Sequence, residues 1–425
     1  MTPDVNQNFQ INIIICSCNP FFIHLSFQFL FWRIGCFFVK FFIYGGYRKM
    51  ALVTLKQILD EAEKGGYGVG AFNVNNMEQI QGIFNAAQEL ESPLIIQASF
   101  NAVKYAGLKF LQALMKAAVE TYPDVPVALH LDHGPDFERC KTCIELGFTS
   151  VMIDGSLDYS SKEKKKPARS FEENVRVTKE VVDYAHSFGV SVEGELGTLG
   201  GVEDDAAAAK VMFTDPDQAV EFVKQTGVDC LAVAIGTSHG AYKFKEKPII
   251  DIDRVKTIHN KIPEIPLVMH GSSSVPAELT DKLNNYIVVS KGKDDQGGPF
   301  IDFLGKKYFI DRDFSIAKDL VYDLFFKNRL KKTMGVPIES IQMGIMNGVR
   351  KINVDTDGRL MITTSVLDVL HAKPEKFDPR DYLTPARDAV YNMVKGKILA
   401  FGSAGRAKDY KPKTLAQMKK IYESK

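Results

Sequence analysis

Eight short apolar runs, each closing on polar residues, constrain this chain more than any other feature. Three of them end in His then Gly. Residues 126–129 lead into His130-Leu131-Asp132-His133-Gly134, 231–235 into Gly236-Thr237-Ser238-His239-Gly240, and 265–269 into His270-Gly271. The other five cover 69–74, 93–97 (ending at Ser99), 150–153 (ending at Asp154), 190–192 (running into Glu193-Gly194-Glu195) and 349–354 (ending around Asp355 and Asp357). Segments with helical spacing lie between them, at 53–64, 77–90, 108–120, 137–146, 171–188 and 217–226. Short apolar strands alternating with helices make parallel βα units. Eight such units predict an α/β fold closed as a TIM (β/α)8 barrel, with a doubly wound open sheet as second choice. The polar residues gather at the strands' C-terminal ends, where barrel active sites are built, and this favours the barrel.

Composition narrows the class without naming a function. An apolar content of 45% suits a globular core. A formal net charge of +1 provides no field for nucleic acid. Six cysteines in 425 residues are no disulfide framework. Cys140 and Cys143 form one CxxC without a second pair, which reads as two small side chains one turn apart on a helix.

The strand ends carry the chemistry. Three imidazoles plus an open position suit a catalytic zinc, with His133, His239 and His270 as candidate ligands. His130 competes for that role. Strict alternation puts His130 and Asp132 on one face of their strand and His133 on the other, so the chain must turn at Gly134 for Asp132 and His133 to share a site. Asp132 beside a metal suits general acid/base work or orientation of an imidazole. Glu195, Asp154 and Glu203 suit a further cation or a polar layer at the barrel mouth. Gly271-Ser272-Ser273-Ser274 and Asn353-Val354-Asp355-Thr356 follow strands seven and eight, where many TIM barrels bind phosphate. Lys243 and Arg359 are candidate phosphate cations. No lysine stands at a strand end with the apolar flanks of a Schiff-base nucleophile, so a metal route to enediolate stabilisation is preferred.

Six motifs in order then resemble one family. Gly68-Val69-Gly70-Ala71-Phe72-Asn73-Val74-Asn75, His130-Leu131-Asp132-His133-Gly134, Gly194-Glu195-Leu196-Gly197, Gly236-Thr237-Ser238-His239-Gly240, His270-Gly271-Ser272-Ser273-Ser274 and Lys351-Ile352-Asn353-Val354-Asp355-Thr356-Asp357 look like class II, metal-dependent fructose-1,6-bisphosphate aldolase. The resemblance implies reversible cleavage of fructose 1,6-bisphosphate to dihydroxyacetone phosphate and glyceraldehyde 3-phosphate by a cytoplasmic zinc enzyme, usually a homodimer. It implies His133, His239 and His270 as zinc ligands and Asp132 as acid/base at the C4 hydroxyl. Asp154 and Glu195 match an additional or alternative cation position. Gly240, Gly271, Ser272, Ser273, Asn353, Val354, Asp355 and Thr356 match the dihydroxyacetone-phosphate site. Asn73, Ser99 and Lys243 match supporting roles, and Arg359 the other phosphate. The loop at 201–205 resembles a mobile segment that supplies an acid/base. Tagatose-bisphosphate aldolase is the near alternative, against which Asp355 favours fructose. An inactive, tethered barrel scaffold and a metal-dependent hydrolase are weaker readings.

Two stretches depart from the family pattern. Residues 1–49 hold ten of the 29 Phe, the only Trp and a single acidic residue, Asp4. Their first cation is Arg33, the wrong order for a secretory signal. A membrane anchor is disfavoured, and Met50-Ala51 reads as the true start. The 286–333 stretch doubles the usual interval between strand ends and shares the Phe-rich bias, which reads as translated noncoding sequence in preference to an insertion loop or small subdomain. Intact-mass measurement on protein from the native cell is expected to find neither stretch; a mass that includes them rejects this reading.

Overall fold

The computed structural model describes residues 52–163, 165–201, 208, 210–240, 244, 248–286, 289–293, 299–303, 306–309 and 334–424. The 1–49 extension lies outside them, as do Lys243 and Glu203. Strands β1 (Val69–Asn73), β2 (Leu94–Ser99), β3 (Val127–Gly134), β4 (Ser150–Ile153), β5 (Ser191–Leu196), β6 (Cys230–Val233) and β7 (Leu267–Met269) pair in parallel. Within the 286–333 interval, the described residues include β8 (Val289–Lys293), β9 (Pro299–Phe303) and β10 (Lys306–Phe309), a separate antiparallel sheet. The last strand, β11 (Val349–Val354), pairs with β7 and β1 and closes the eight-stranded barrel. The expected TIM architecture is therefore present, and the open sheet is not.

Barrel strands are buried along their whole length. This follows from helices packed outside and side chains filling the inside. Leu129, Leu131, Val192, Ile352 and Val354 belong to the outer apolar core, which continues into the helices. Alternate residues point inward in layers. The lowest is apolar: Val69, Ala71, Ile95, Ala128, Cys230, Ala232 and Val268 pack against Leu55, Ile58 and Leu59 of the helix Leu55–Gly65. That helix closes the bottom of the barrel. Above it, inward positions turn polar, with Gln97, His130, Glu193 and Lys351, all fully buried.

Helix starts follow side-chain capping. Thr54, Asn76, Ser99, Asp136, Ser170, Asp215 and Asp251 each accept a backbone N–H of the first turn. The helices Phe100–Ala106, Ile252–Lys261 and Ala277–Tyr286 were not expected from spacing. The first has only seven residues, too few for a period to show. Cys140 and Cys143 are buried free thiols on Phe137–Glu145. Burial pushes Cys143 up to about 12, so this CxxC offers no ready thiolate. No helix among the described residues is long and apolar enough to cross a membrane.

One local departure from regular structure decides the site. His133 has φ 49°, in the left-handed region, and the β3–β4 register shifts between Leu131 and Gly134. The turn expected at Gly134 therefore falls one residue earlier. It breaks the alternation that would send Asp132 and His133 to opposite faces.

Candidate active site

His133 from β3, His239 from the loop after β6 and His270 from the end of β7 converge at the barrel mouth. Their ring centroids are 5.0 Å (His133–His239), 4.6 Å (His133–His270) and 5.9 Å (His239–His270) apart. One ligand-capable atom from each lies within 4.8 Å of the others. The His239 backbone N–H donates to Gly200 O at 2.9 Å, which ties the β6 loop to the β5 loop. Gly271, at φ 60°, lets the β7 loop pass under that segment, since a Cβ there would sit 2.5 Å from Ser238 O.

His270 is oriented from below. Its Nε2 lies 2.7 Å from Glu193 Oε1, leaving Nδ1 to face His133 Nε2 at 2.9 Å. Burial pushes His270 down to about 4, despite Glu193. It is thus a neutral imidazole that donates Nε2–H to Glu193 and presents the Nδ1 lone pair to the site. Burial alone would raise Glu193, but the Lys351 ammonium and the two imidazoles, His130 and His270, hold it well below the usual carboxylate range. His130 sits in this lower layer, with Nδ1 2.8 Å from Ser150 Oγ and Nε2 3.4 Å from Glu193. It is not among the three converging imidazoles.

Asp132 is held by three amides. Oδ2 accepts from Asn73 Nδ2 at 2.9 Å and Gln97 Nε2 at 3.1 Å, and Oδ1 accepts from Asn353 Nδ2 at 3.2 Å. Lys351 donates to Asn353 Oδ1 at 2.8 Å, which fixes that amide with its NH2 toward Asp132. Gln97 escaped sequence reasoning as one glutamine inside an apolar run, and Lys351, though it heads the Lys351–Asp357 motif, had no role assigned to it. Lys351 is ion-paired to Glu193 at 2.9 Å with both side chains fully buried, so it is no free amine.

Asp154 and Glu195 form a second acidic group with His133. His133 Nδ1 lies 3.6 Å from Asp154 and 3.8 Å from Glu195. Ser156 and Tyr159 hydroxyls donate to Asp154. Burial raises Glu195 well above the usual carboxylate range, with the Asp154 charge adding to it. Burial would lower His133, but Asp154, Asp132 and Glu195 reverse this and hold it well above an ordinary imidazole.

Asn73, Asp132, His239, Gly240, Gly271, Ser273, Asn353, Asp355 and Thr356 line one narrow cavity. Ser272 is turned away, donating to Met269 O at 2.8 Å, and Val354 packs outward in the apolar core. Ser99 and Arg359 line a neighbouring cleft of about 570 Å³ with Asn75, Asn101 and Tyr105. Arg359 pairs with Asp355, its Nε donating at 2.8 Å.

The family model for class-II fructose-bisphosphate aldolase matches residues 53–406. The chain belongs to that family. A fructose-bisphosphate aldolase of Giardia intestinalis is 50% identical over 376 residues, covering 88% of this chain and all of the relative. One from Nostoc sp. is 46% identical over 381 residues, covering 86% and 94%. The solved YdjI aldolase from Escherichia coli K12 superposes with a TM-score of 0.60 at 27% identity, covering 84% of this chain and 99% of that one.

Class II aldolases are metal-dependent, and the donor set of this class II aldolase fits a cation. Among the described residues, buried His133 Nδ1 and Glu195 Oε2 lack hydrogen-bond partners. His133 Nε2 and His270 Nδ1 face each other at 2.9 Å, and the carboxylates around His133 favour its protonated form. Loading a divalent cation must therefore displace this proton. Affinity is expected to fall as pH is lowered, because His133 stays protonated below its raised pKa. Calorimetric titration in buffers of different ionisation enthalpy should show release of about one proton per cation near neutral pH. No release would contradict the assignment of the proton to His133.

Proposed function

We propose that this chain is a zinc-dependent fructose-1,6-bisphosphate aldolase in which His133, His239 and His270 hold the metal and Asp132 carries the proton. The observation that supports the reading most is Asp132 fixed by three amides beside three converging imidazoles. Three nitrogen donors with an open position suit zinc. Bound there, zinc would polarise the C2 carbonyl and stabilise the negative charge that C3–C4 cleavage delivers to its oxygen.

The chain's own residues do the rest. Asp132 takes the proton of the C4 hydroxyl as the C3–C4 bond breaks and C4 becomes the aldehyde carbon. In condensation the same carboxyl returns it. Asn73, Gln97 and Asn353 keep the carboxylate aimed at that hydroxyl. Gly240, Gly271, Ser273 and the start of the helix Thr356–Ala372 bind the dihydroxyacetone phosphate end, where backbone N–H groups and a helix N-terminus favour an anion. Arg359 and Ser99, in the larger cleft, meet the second phosphate. Asp154 and Glu195 serve as a second position for a cation. A homodimer, which the resemblance to the family implies, is part of the proposal.

Protein from Met50 without the 286–333 stretch is expected to cleave fructose 1,6-bisphosphate, to lose activity with a chelator and regain it with zinc, and to resist trapping by borohydride with dihydroxyacetone phosphate. Chelator-insensitive cleavage or a trapped Schiff base would overturn the metal mechanism. Asp132→Ala should keep its metal and lose about 10²–10⁴-fold in kcat, the usual worth of a positioned acid/base. Near-wild-type turnover would reduce Asp132 to an orienting role.

A further inference from the structure

The loop after β7 is held from behind by a buried ion pair that does not touch the cavity. Lys397 lies on the helix Pro379–Phe401, 123 residues from Ser274, and is only 7% exposed. A buried lysine requires a partner. Its ammonium lies 2.8 Å from Asp357 Oδ2 and donates to Ser274 Oγ at 2.7 Å. Asp357, 1% exposed, accepts two backbone N–H groups of the same loop, from Ser274 at 2.9 Å and Val275 at 2.8 Å.

We propose that Lys397 is a positioning residue for the phosphate subsite, acting through Asp357 to hold the β7 loop in its anion-receiving shape. The inference rests on reading Gly271 and Ser273 as that subsite. Three observations support it. First, the loop is not in a relaxed conformation: Val275, a β-branched residue, has φ 43°. Such backbone persists only where surrounding bonds over-determine it, and Asp357 supplies the bond to the Val275 N–H.

Second, the loop is clamped on its other side as well. Val336 N–H donates to Ser273 O at 3.1 Å, and a Cβ on Gly335 would lie 2.2 Å from the Ser274 carbonyl. Asp355 N–H donates to Ser273 Oγ at 3.2 Å. With that side fixed, the Asp357–Lys397 pair determines how the peptide planes of 273–275 are turned. Third, the charges require the pair. Asp357 alone would set a buried negative charge directly behind a loop that receives a dianion. Lys397, 2.8 Å from Asp357 Oδ2, places the opposite charge against it. Neither residue lines the cavity, so both work through the loop.

The test is calorimetric binding of inorganic phosphate to the full zinc-loaded chain, with metal content and melting temperature measured alongside. Lys397→Met is expected to weaken phosphate binding by about tenfold or more, with metal stoichiometry unchanged, because a charge-assisted contact is lost and a bare carboxylate remains. KM for fructose 1,6-bisphosphate should rise more than kcat falls. Lys397→Arg should restore most of the affinity. If Lys397→Met does not fold, the neutral pair Asp357→Asn/Lys397→Met replaces it, with weakening expected but smaller. Phosphate binding within about twofold of wild type in either variant would overturn the proposal. Ser273→Ala separates the two ideas: weakened phosphate there, with no effect at Lys397, overturns the positioning role alone. No effect in either overturns the subsite reading and the positioning role together.

Discussion

The left-handed backbone at His133 is the constraint on which this site depends. A regular β3 would present Asp132 to the barrel interior and His133 to the outer helices. At φ 49° the chain instead swings His133 across, and both side chains meet at the mouth. A non-glycine residue in that region costs on the order of 1–3 kcal/mol and persists where its surroundings hold it. Here they do: His133 is buried among His239, His270, Asp154 and Glu195. A cation bound to its ring would add a further restraint.

Beneath the mouth lies a charged layer that transmits order upward. Glu193 and Lys351 are fully buried, and each serves two masters. Glu193 fixes the tautomer of His270. Lys351 fixes the amide of Asn353, which in turn bonds Asp132. The metal donors and the acid/base thus share one ion pair as their support. Removing one partner of such a pair leaves an uncompensated buried charge, typically costing about 3–5 kcal/mol. Apolar packing below this layer, closed by the helix Leu55–Gly65, keeps water from screening it.

The barrel was legible because its signals are periodic. Short apolar runs with polar ends recur eight times, with helical spacing in six segments around them, and each repeat reinforces the rest. The three imidazoles were legible because each sits at a strand end before glycine. What escaped was whatever depends on three-dimensional register. The turn was expected at Gly134, yet the backbone reverses at His133, since β3 shifts register against β4. Gln97 and Lys397 looked unremarkable along the chain, and Lys351 and Asp357, though inside the last motif, had no role assigned to them. Their partners lie on other strands and helices, and a buried charge is recognisable only once its neighbours are known. Ser272 was grouped with the phosphate loop through the His270–Ser274 motif, and its hydroxyl bonds back to Met269.

The measurement that bears most directly on this site is an anomalous-scattering map at the zinc edge from crystals of the zinc-loaded chain. The expected result is one strong peak at about 2.0–2.1 Å from a ring nitrogen of each of His133, His239 and His270, with Asp132 beside it but not bonded to it. A peak bonded to Asp132, or one held by Asp154 and Glu195 without His239 and His270, would contradict the three-histidine centre.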